Sequence, residues 1–137
     1  MPEFISYLAR IELARWEVVK IEREKIAQKY LQLLTGLGFN SEIGDIYFKE
    51  NQNITPLRFV WSFEEGAKFR EGLEEFLHIE RTWFMRPIVD TNEDLKNFNY
   101  IEGSCPNSEL LGKTIINLPT AITLEEAEKL VKRITNE

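Results

Sequence analysis

The chain has 137 residues, 43% of them hydrophobic, with nine Phe, four Tyr and three Trp. That is one domain's worth of sequence with material for one core, which excludes disorder, collagen and coiled-coil arrays. Seventeen basic against 23 acidic residues give a net charge of −6. An acidic chain of this kind speaks against a nucleic-acid or anionic-membrane binder. No run of 18 apolar residues is present, so no membrane span is expected. One cysteine, Cys105, cannot form an intramolecular disulfide. One Cys and one His cannot supply a zinc site of the usual kind, and no metal site is expected. The N-terminus has charges at Glu3, Arg10 and Glu12 and no signal-peptide layout, so a cytoplasmic location is expected and the sequon at Asn53-Ile54-Thr55 is read as unused.

Residues 3–34 lack Gly and Pro, and Gly36 and Gly38 follow at once. The spacing predicts one long helix over 1–35, ended by glycine. Its second half has one apolar stripe, Trp16, Val19, Ile26, Tyr30, Leu33 and Leu34. Its first half is apolar nearly all round, with Phe4, Ile5, Tyr7, Leu8, Ala9, Ile11, Leu13 and Ala14. Such a helix needs burial on more than one side. A homodimer or a complex with another chain, with residues 4–19 in the interface, is therefore expected.

The remainder, 36–137, reads as a small α+β domain. Residues 46–49 suggest a short strand, and 57–62 alternate as a second, firmer one. Ser62 with Glu65 three residues on has capping-box spacing ahead of a helix that buries Phe69, Leu73, Phe76 and Leu77. Residues 79–85 read as a strand ending before Pro87. Asp90-Thr91-Asn92 starts a short helical or loop segment. Pro106 fits the first position of a helix running to about Leu111 and ended by Gly112. Residues 114–118 form the next strand, stopped by Pro119. Thr123 and Glu126 make a second capping box for a last helix with the stripe Leu124, Ala127, Leu130, Val131 and Ile134. The sum is a single domain: a long helix, then a sheet of about three strands with helices packed on it.

Few motifs carry chemistry. Leu111-Gly112-Lys113-Thr114 looks like the tail of a phosphate-binding loop, but Asn107 stands where its first glycine is needed and a strand follows instead of a helix. His78 lies between a helix end and a strand, as a catalytic base or as an ordinary helix-end donor. Cys105 before Pro106 sits at a helix start, where a thiol pKa falls, or it is a plain cap residue. The glutamate pairs at 64/65, 74/75 and 125/126 read as solvated helix faces. Arg81-Thr82-Trp83-Phe84-Met85-Arg86-Pro87 differs, because two arginines and a tryptophan mark a strand end. Arg81, Trp83 and Arg86 are the candidate contacts to an anionic ligand, against the reading in which Glu80 or Asp90 pairs with them.

Several of these segments together resemble the C-terminal part of the DegT/DnrJ/EryC1/StrS family of pyridoxal-phosphate-dependent sugar aminotransferases. Tyr7 to Trp16, with Arg23-Glu24-Lys25-Ile26-Ala27 and Tyr30-Leu31, is similar to the family's long interdomain helix. Leu73, Leu77, Ile79-Glu80 and Arg81 resemble its helix-to-strand step, and 81–87 its "R-V-H-Y-P-x-P". Cys105-Pro106-Asn107-Ser108-Glu109-Leu110-Leu111, Ile116-Asn117-Leu118-Pro119-Thr120 and Thr123-Leu124-Glu125-Glu126 resemble its closing run, the most specific part. Trp83 stands where the family often has His, and Met85 where it often has Pro. The resemblance implies the small domain of a fold-type I enzyme, with pyridoxal phosphate as the family's cofactor. The lysine motif and cofactor cradle have no counterpart in these residues, so no catalytic or cofactor-binding residue is assigned to this chain. The implied partner is a second copy or a separately encoded large domain, met through the N-terminal helix. A non-catalytic small-molecule-binding or regulatory module with the same fold, and an independent enzyme using His78, are the other readings.

Overall fold

A computed structural model describes residues 3–49, 54–64, 66–77, 85–88 and 94–135. Four α-helices and two strands follow in the order α1 (Glu3–Gly36), β1 (Arg58–Ser62), α2 (Gly66–Leu77), α3 (Pro106–Thr114), β2 (Ile115–Pro119) and α4 (Leu124–Thr135). The chain is thus α+β, with a long N-terminal helix, a two-stranded antiparallel sheet and helices packed on it. A three-stranded sheet was expected. Of its middle strand, 79–84 lie outside the described residues, as do Asp90-Thr91-Asn92.

α1 runs 34 residues, about 51 Å at ~1.5 Å per residue. It stops where Gly38 takes a left-handed conformation (φ 92°). The Phe39 N–H then donates to the Leu34 carbonyl and the Gly38 N–H to that of Thr35, the paired bonds of a Schellman ending. β1 pairs with β2 from Arg58 opposite Pro119 to Ser62 opposite Ile115. Phe59 and Trp61 from β1, with Ile116 and Leu118 from β2, are fully buried. Ile26, Tyr30 and Leu34 of α1 cover them, joined by Ala127, Leu130, Val131 and Ile134 of α4. Phe39 and Phe63 meet the Trp61 ring at 5.0 and 5.4 Å between centroids.

Buried polar groups lock these layers in place. Arg23 donates to Thr120 Oγ1 (2.8 Å) and to the Leu57 carbonyl (3.0 Å). The Thr120 hydroxyl has the Pro56 and Leu57 carbonyls within 2.8 Å as acceptors. The Tyr30 hydroxyl donates to the Pro119 carbonyl at 3.0 Å, and desolvation pushes its pKa well above the ordinary tyrosine value.

Several local expectations give way to tertiary packing. Residues 46–49 are not a strand: Asp45–Phe48 is a 3-10 turn. It places the Tyr47 ring on Phe59 (4.3 Å between centroids) and the Tyr47 hydroxyl where it accepts the Val60 N–H at 3.0 Å. Ser62 does not cap α2. It ends β1 and donates to Thr114 Oγ1 at 3.0 Å, while Glu65 lies outside the described residues. Gly112 does not end α3, which continues to Thr114. Trp16 and Leu124 are exposed and drop out of their stripes. Leu73 is buried and Phe69 and Phe76 partly so; the Leu77 side chain is outside the description. Thr123 and Glu126 do form a reciprocal capping box. The Thr123 N–H donates to Glu126 Oε2 (2.7 Å) and the Glu126 N–H to Thr123 Oγ1 (3.2 Å).

The first turns of α1 find no cover among the described residues. Every residue from Glu3 to Val18 is exposed, Phe4 at 69% and Leu13 at 72% of full accessibility.

Candidate cleft at the α3 helix

Pro106 opens α3 directly after Cys105. Its missing N–H costs nothing at the first helical position. Cys105 is exposed and its side chain makes no capping bond. The helix start is held instead by Glu109. Its Oε1 accepts the Tyr100 hydroxyl at 2.6 Å and the Gly103 N–H at 2.7 Å, tying the loop before α3 to the helix. The Tyr100 hydroxyl, the Gly103 amide and nearby Lys113 hold the Glu109 carboxyl below its ordinary range. The same bond raises the Tyr100 pKa. Glu109 therefore stays ionised near neutrality and is no general acid.

Ahead of the loop, Leu95–Phe98 forms a 3-10 turn. Asp94 caps it by accepting the Lys96 N–H at 3.0 Å. Asn99 closes it with φ 56°, and the Tyr100 N–H reaches back to the Leu95 carbonyl. Asn tolerates this left-handed position better than most residues.

At its other end α3 is gripped by α2. Arg70 is buried and donates to the Gly112 and Lys113 carbonyls, placing a cation at a helix C-terminus. Desolvation lowers its pKa, and nearby Glu74 partly offsets this. Gly112 explains how segment 85–88 joins the site. A Cβ there would lie 2.5 Å from the Met85 carbonyl oxygen and 2.9 Å from its carbon. Only glycine lets that backbone rest on the helix. Gly66 plays a similar part, since its Cβ would meet the Thr114 carbonyl oxygen at 2.3 Å.

Between segment 85–88, the 3-10 turn and α3 lies an open cleft of about 580 Å³, lined among others by Arg86, Lys96, Tyr100, Glu102, Glu109 and Lys113. Arg86 is exposed at its rim. It is the one member of the predicted trio that the structure describes; Arg81 and Trp83, like His78, lie outside the described residues. Lys96 and Lys113 form no salt bridge among the described residues. The cleft offers cations, a phenol hydroxyl and carboxylates, a set that can orient a polar, charged small molecule by hydrogen bonds. Sequence reasoning missed Tyr100, Lys96 and Glu102 as site residues. The one local signal was Glu109 and Lys113, four apart on one helix face.

A lysine-bound cofactor needs a positioned lysine beside a phosphate cradle. Lys96 and Lys113 are both exposed on this open cleft, and the Gly103 N–H, a donor that a phosphate would use, is taken by Glu109. The described residues do not fit pyridoxal phosphate. Among them no cluster of His, Cys, Asp or Glu could hold a metal ion, and no helix is long and apolar enough to cross a membrane.

No family model, no curated protein and no solved structure matches the chain.

Proposed function

We propose that this chain is a small domain of the sugar-aminotransferase type, catalytically incomplete by itself, which works with a large domain supplied by a partner. The observation that supports it most is where the element boundaries fall in the closing run. Cys105 precedes α3 with Pro106 at its first position, Ile116 to Pro119 lies in β2, and Thr123 with Glu126 caps α4. In this reading the exposed start of α1 is the surface that meets the partner. Arg86, with Arg81 and Trp83, faces an anionic substrate once the site is assembled, and pyridoxal phosphate belongs to the partner.

The test is spectroscopic. The purified chain mixed with stoichiometric pyridoxal phosphate should give no stable absorbance from a lysine-bound cofactor. A large domain encoded beside it should co-purify with it on co-expression, and the pair should give that absorbance. A stable signal from the chain alone, lost in Lys113→Ala, would overturn the reading.

One observation favours a second reading, a non-catalytic small-molecule-binding module. Described residues of this one chain already form the walls of the cleft at α3, and its loop is held by Glu109. Saturable binding of a polar ligand by the isolated chain, weakened by Arg86→Ala, would favour it.

A further inference from the structure

Most of the exposed apolar residues of α1 fall on two lines, with Leu13 on neither. Exposed Ile5, Leu8 and Trp16, with half-buried Val19, continue the line that carries Ile26, Tyr30 and Leu34 into the core. Phe4, Tyr7, Ile11, Ala14, Val18 and Ile21 form another, roughly 130° away at ~100° per residue. These six repeat with alternating steps of three and four, the a and d positions of a heptad. All are exposed, Tyr7 at 62% and Val18 at 60%. The line continues to Ile21, alongside the anchored half of the helix, on the face turned away from the fold.

From this pattern we infer that the heptad line is a two-fold, antiparallel coiled-coil seam with a second copy of this chain. The flanking charges decide both occupant and direction. In a parallel, in-register pair, the g and e positions would set Arg10 against Arg15 and Glu17 against Glu22 of the second copy, like charges throughout. In an antiparallel pair centred between Glu12 and Leu13, Phe4 faces Ile21, Tyr7 faces Val18, and Ile11 faces Ala14, each twice by symmetry. Large residues then meet smaller ones across the seam. The g positions bring Arg10 of each copy to Glu17 of the other. Among the described residues Arg10 and Glu17 have no ion-pair partner within the chain, whereas Arg15 is bonded to Glu12 at 3.3 Å. The one unfavourable facing is Glu3 opposite Glu24, whose carboxylate accepts the Thr55 hydroxyl at 2.6 Å. The helix is already ordered through its packed C-terminal half, so association need not nucleate it. The line through Ile5 and Trp16 stays open for a different neighbour.

Charge reversal on the full chain tests the register. Sedimentation equilibrium at tens of micromolar should show a dimer. Arg10→Glu and Glu17→Arg should each weaken it by about tenfold or more, since two attractive pairs become repulsive. Combining both should restore the dimer to within about threefold. With Cys105 replaced by Ser, an Ile11→Cys chain should cross-link to an Ala14→Cys chain in preference to itself. A monomeric parent chain, a dimer tightened or unchanged by Arg10→Glu, no recovery in the double variant, or cross-linking of Ile11→Cys chains to one another would each overturn it. Circular dichroism of each variant confirms that the fold is retained. The inference does not depend on the proposed function, and the absorbance of the chain alone with pyridoxal phosphate reads neither these residues nor this surface.

Discussion

Two helical glycines make opposite predictions for the same substitution. In the interior of a helix, Gly→Ala ordinarily stabilises by about 0.8–1 kcal/mol, because alanine loses less backbone entropy on folding. Gly72 of α2 has nothing within 4 Å of the position a Cβ would take, so Gly72→Ala should stabilise by about that amount. Gly112 of α3 is buried, and its Cβ would sit 2.5 Å from the Met85 carbonyl oxygen. The obstacle is backbone, so no side chain can swing aside, and segment 85–88 must lift from the helix. Forcing a methyl group into a packed site costs about 1–3 kcal/mol, and a backbone obstacle belongs at the upper end. The propensity gain offsets about 1 kcal/mol of this, leaving Gly112→Ala destabilised by about 2 kcal/mol. The two variants should therefore differ by about 3 kcal/mol, or roughly 10 °C in melting temperature for a chain of this size. Urea and thermal unfolding followed by circular dichroism decide it. If Gly112→Ala melts above the parent, as Gly72→Ala should, then segment 85–88 does not rest on α3 and the cleft loses its wall.

The capping box of α4 gives a pH dependence. Thr123 donates twice to the Glu126 carboxylate, which holds its pKa below the ordinary 4.5. A carboxyl depressed in the folded state stabilises above its unfolded pKa, and that contribution disappears as pH falls through the folded value. The urea midpoint should thus decline below pH ~4.5, and Glu126→Gln should flatten the decline; an identical pH profile in the variant would refute the assignment. In the core, the Trp61 indole N–H is buried with no hydrogen-bond partner among the described residues. An unmade bond of this kind costs about 1–3 kcal/mol, which offsets part of the cavity cost of the smaller ring, so Trp61→Phe should lose less than about 1.5 kcal/mol. A loss of 3 kcal/mol or more in chemical denaturation would mean that the N–H is satisfied.

What was legible in the sequence was what neighbouring residues decide among themselves. The α1 ending needed only a glycine able to take a positive φ, and the α4 start only Thr123 and Glu126 three apart. The strand at Arg58–Ser62 followed from alternation, since Phe59 and Trp61 share one face. The illegible parts all depend on a distant group. Ser62 has the right spacing to cap a helix, but pairing with Ile115 and the Thr114 hydroxyl competes successfully for it. Asp45–Phe48 is short and apolar enough for a strand, and it coils because Tyr47 stacks on Phe59. Gly112 reads locally as a terminator, although its small size serves the Met85 backbone. The cleft is illegible for the same reason. Tyr100 and Glu109 are nine residues apart across a loop, a separation with no helical or strand period to signal it.

The electrostatic character of the cleft follows from which charges are already in use. By simple count Arg86, Lys96 and Lys113 balance Asp94, Glu102 and Glu109. Two of the carboxylates serve the fold: Glu109 accepts from Tyr100 and Gly103, and Asp94 from the Lys96 backbone; Glu102 makes no such bond among the described residues. Each bond consumes acceptor capacity. The Lys96 and Lys113 ammonium groups have no such commitment among the described residues. These two cations stand on a chain whose overall charge is −6. A small anion approaching from solvent would be repelled by the global charge, so any hold on it would have to come from this local arrangement. If the cleft takes a carboxylate or phosphate, short-range, directional hydrogen bonds and not long-range steering would have to select it.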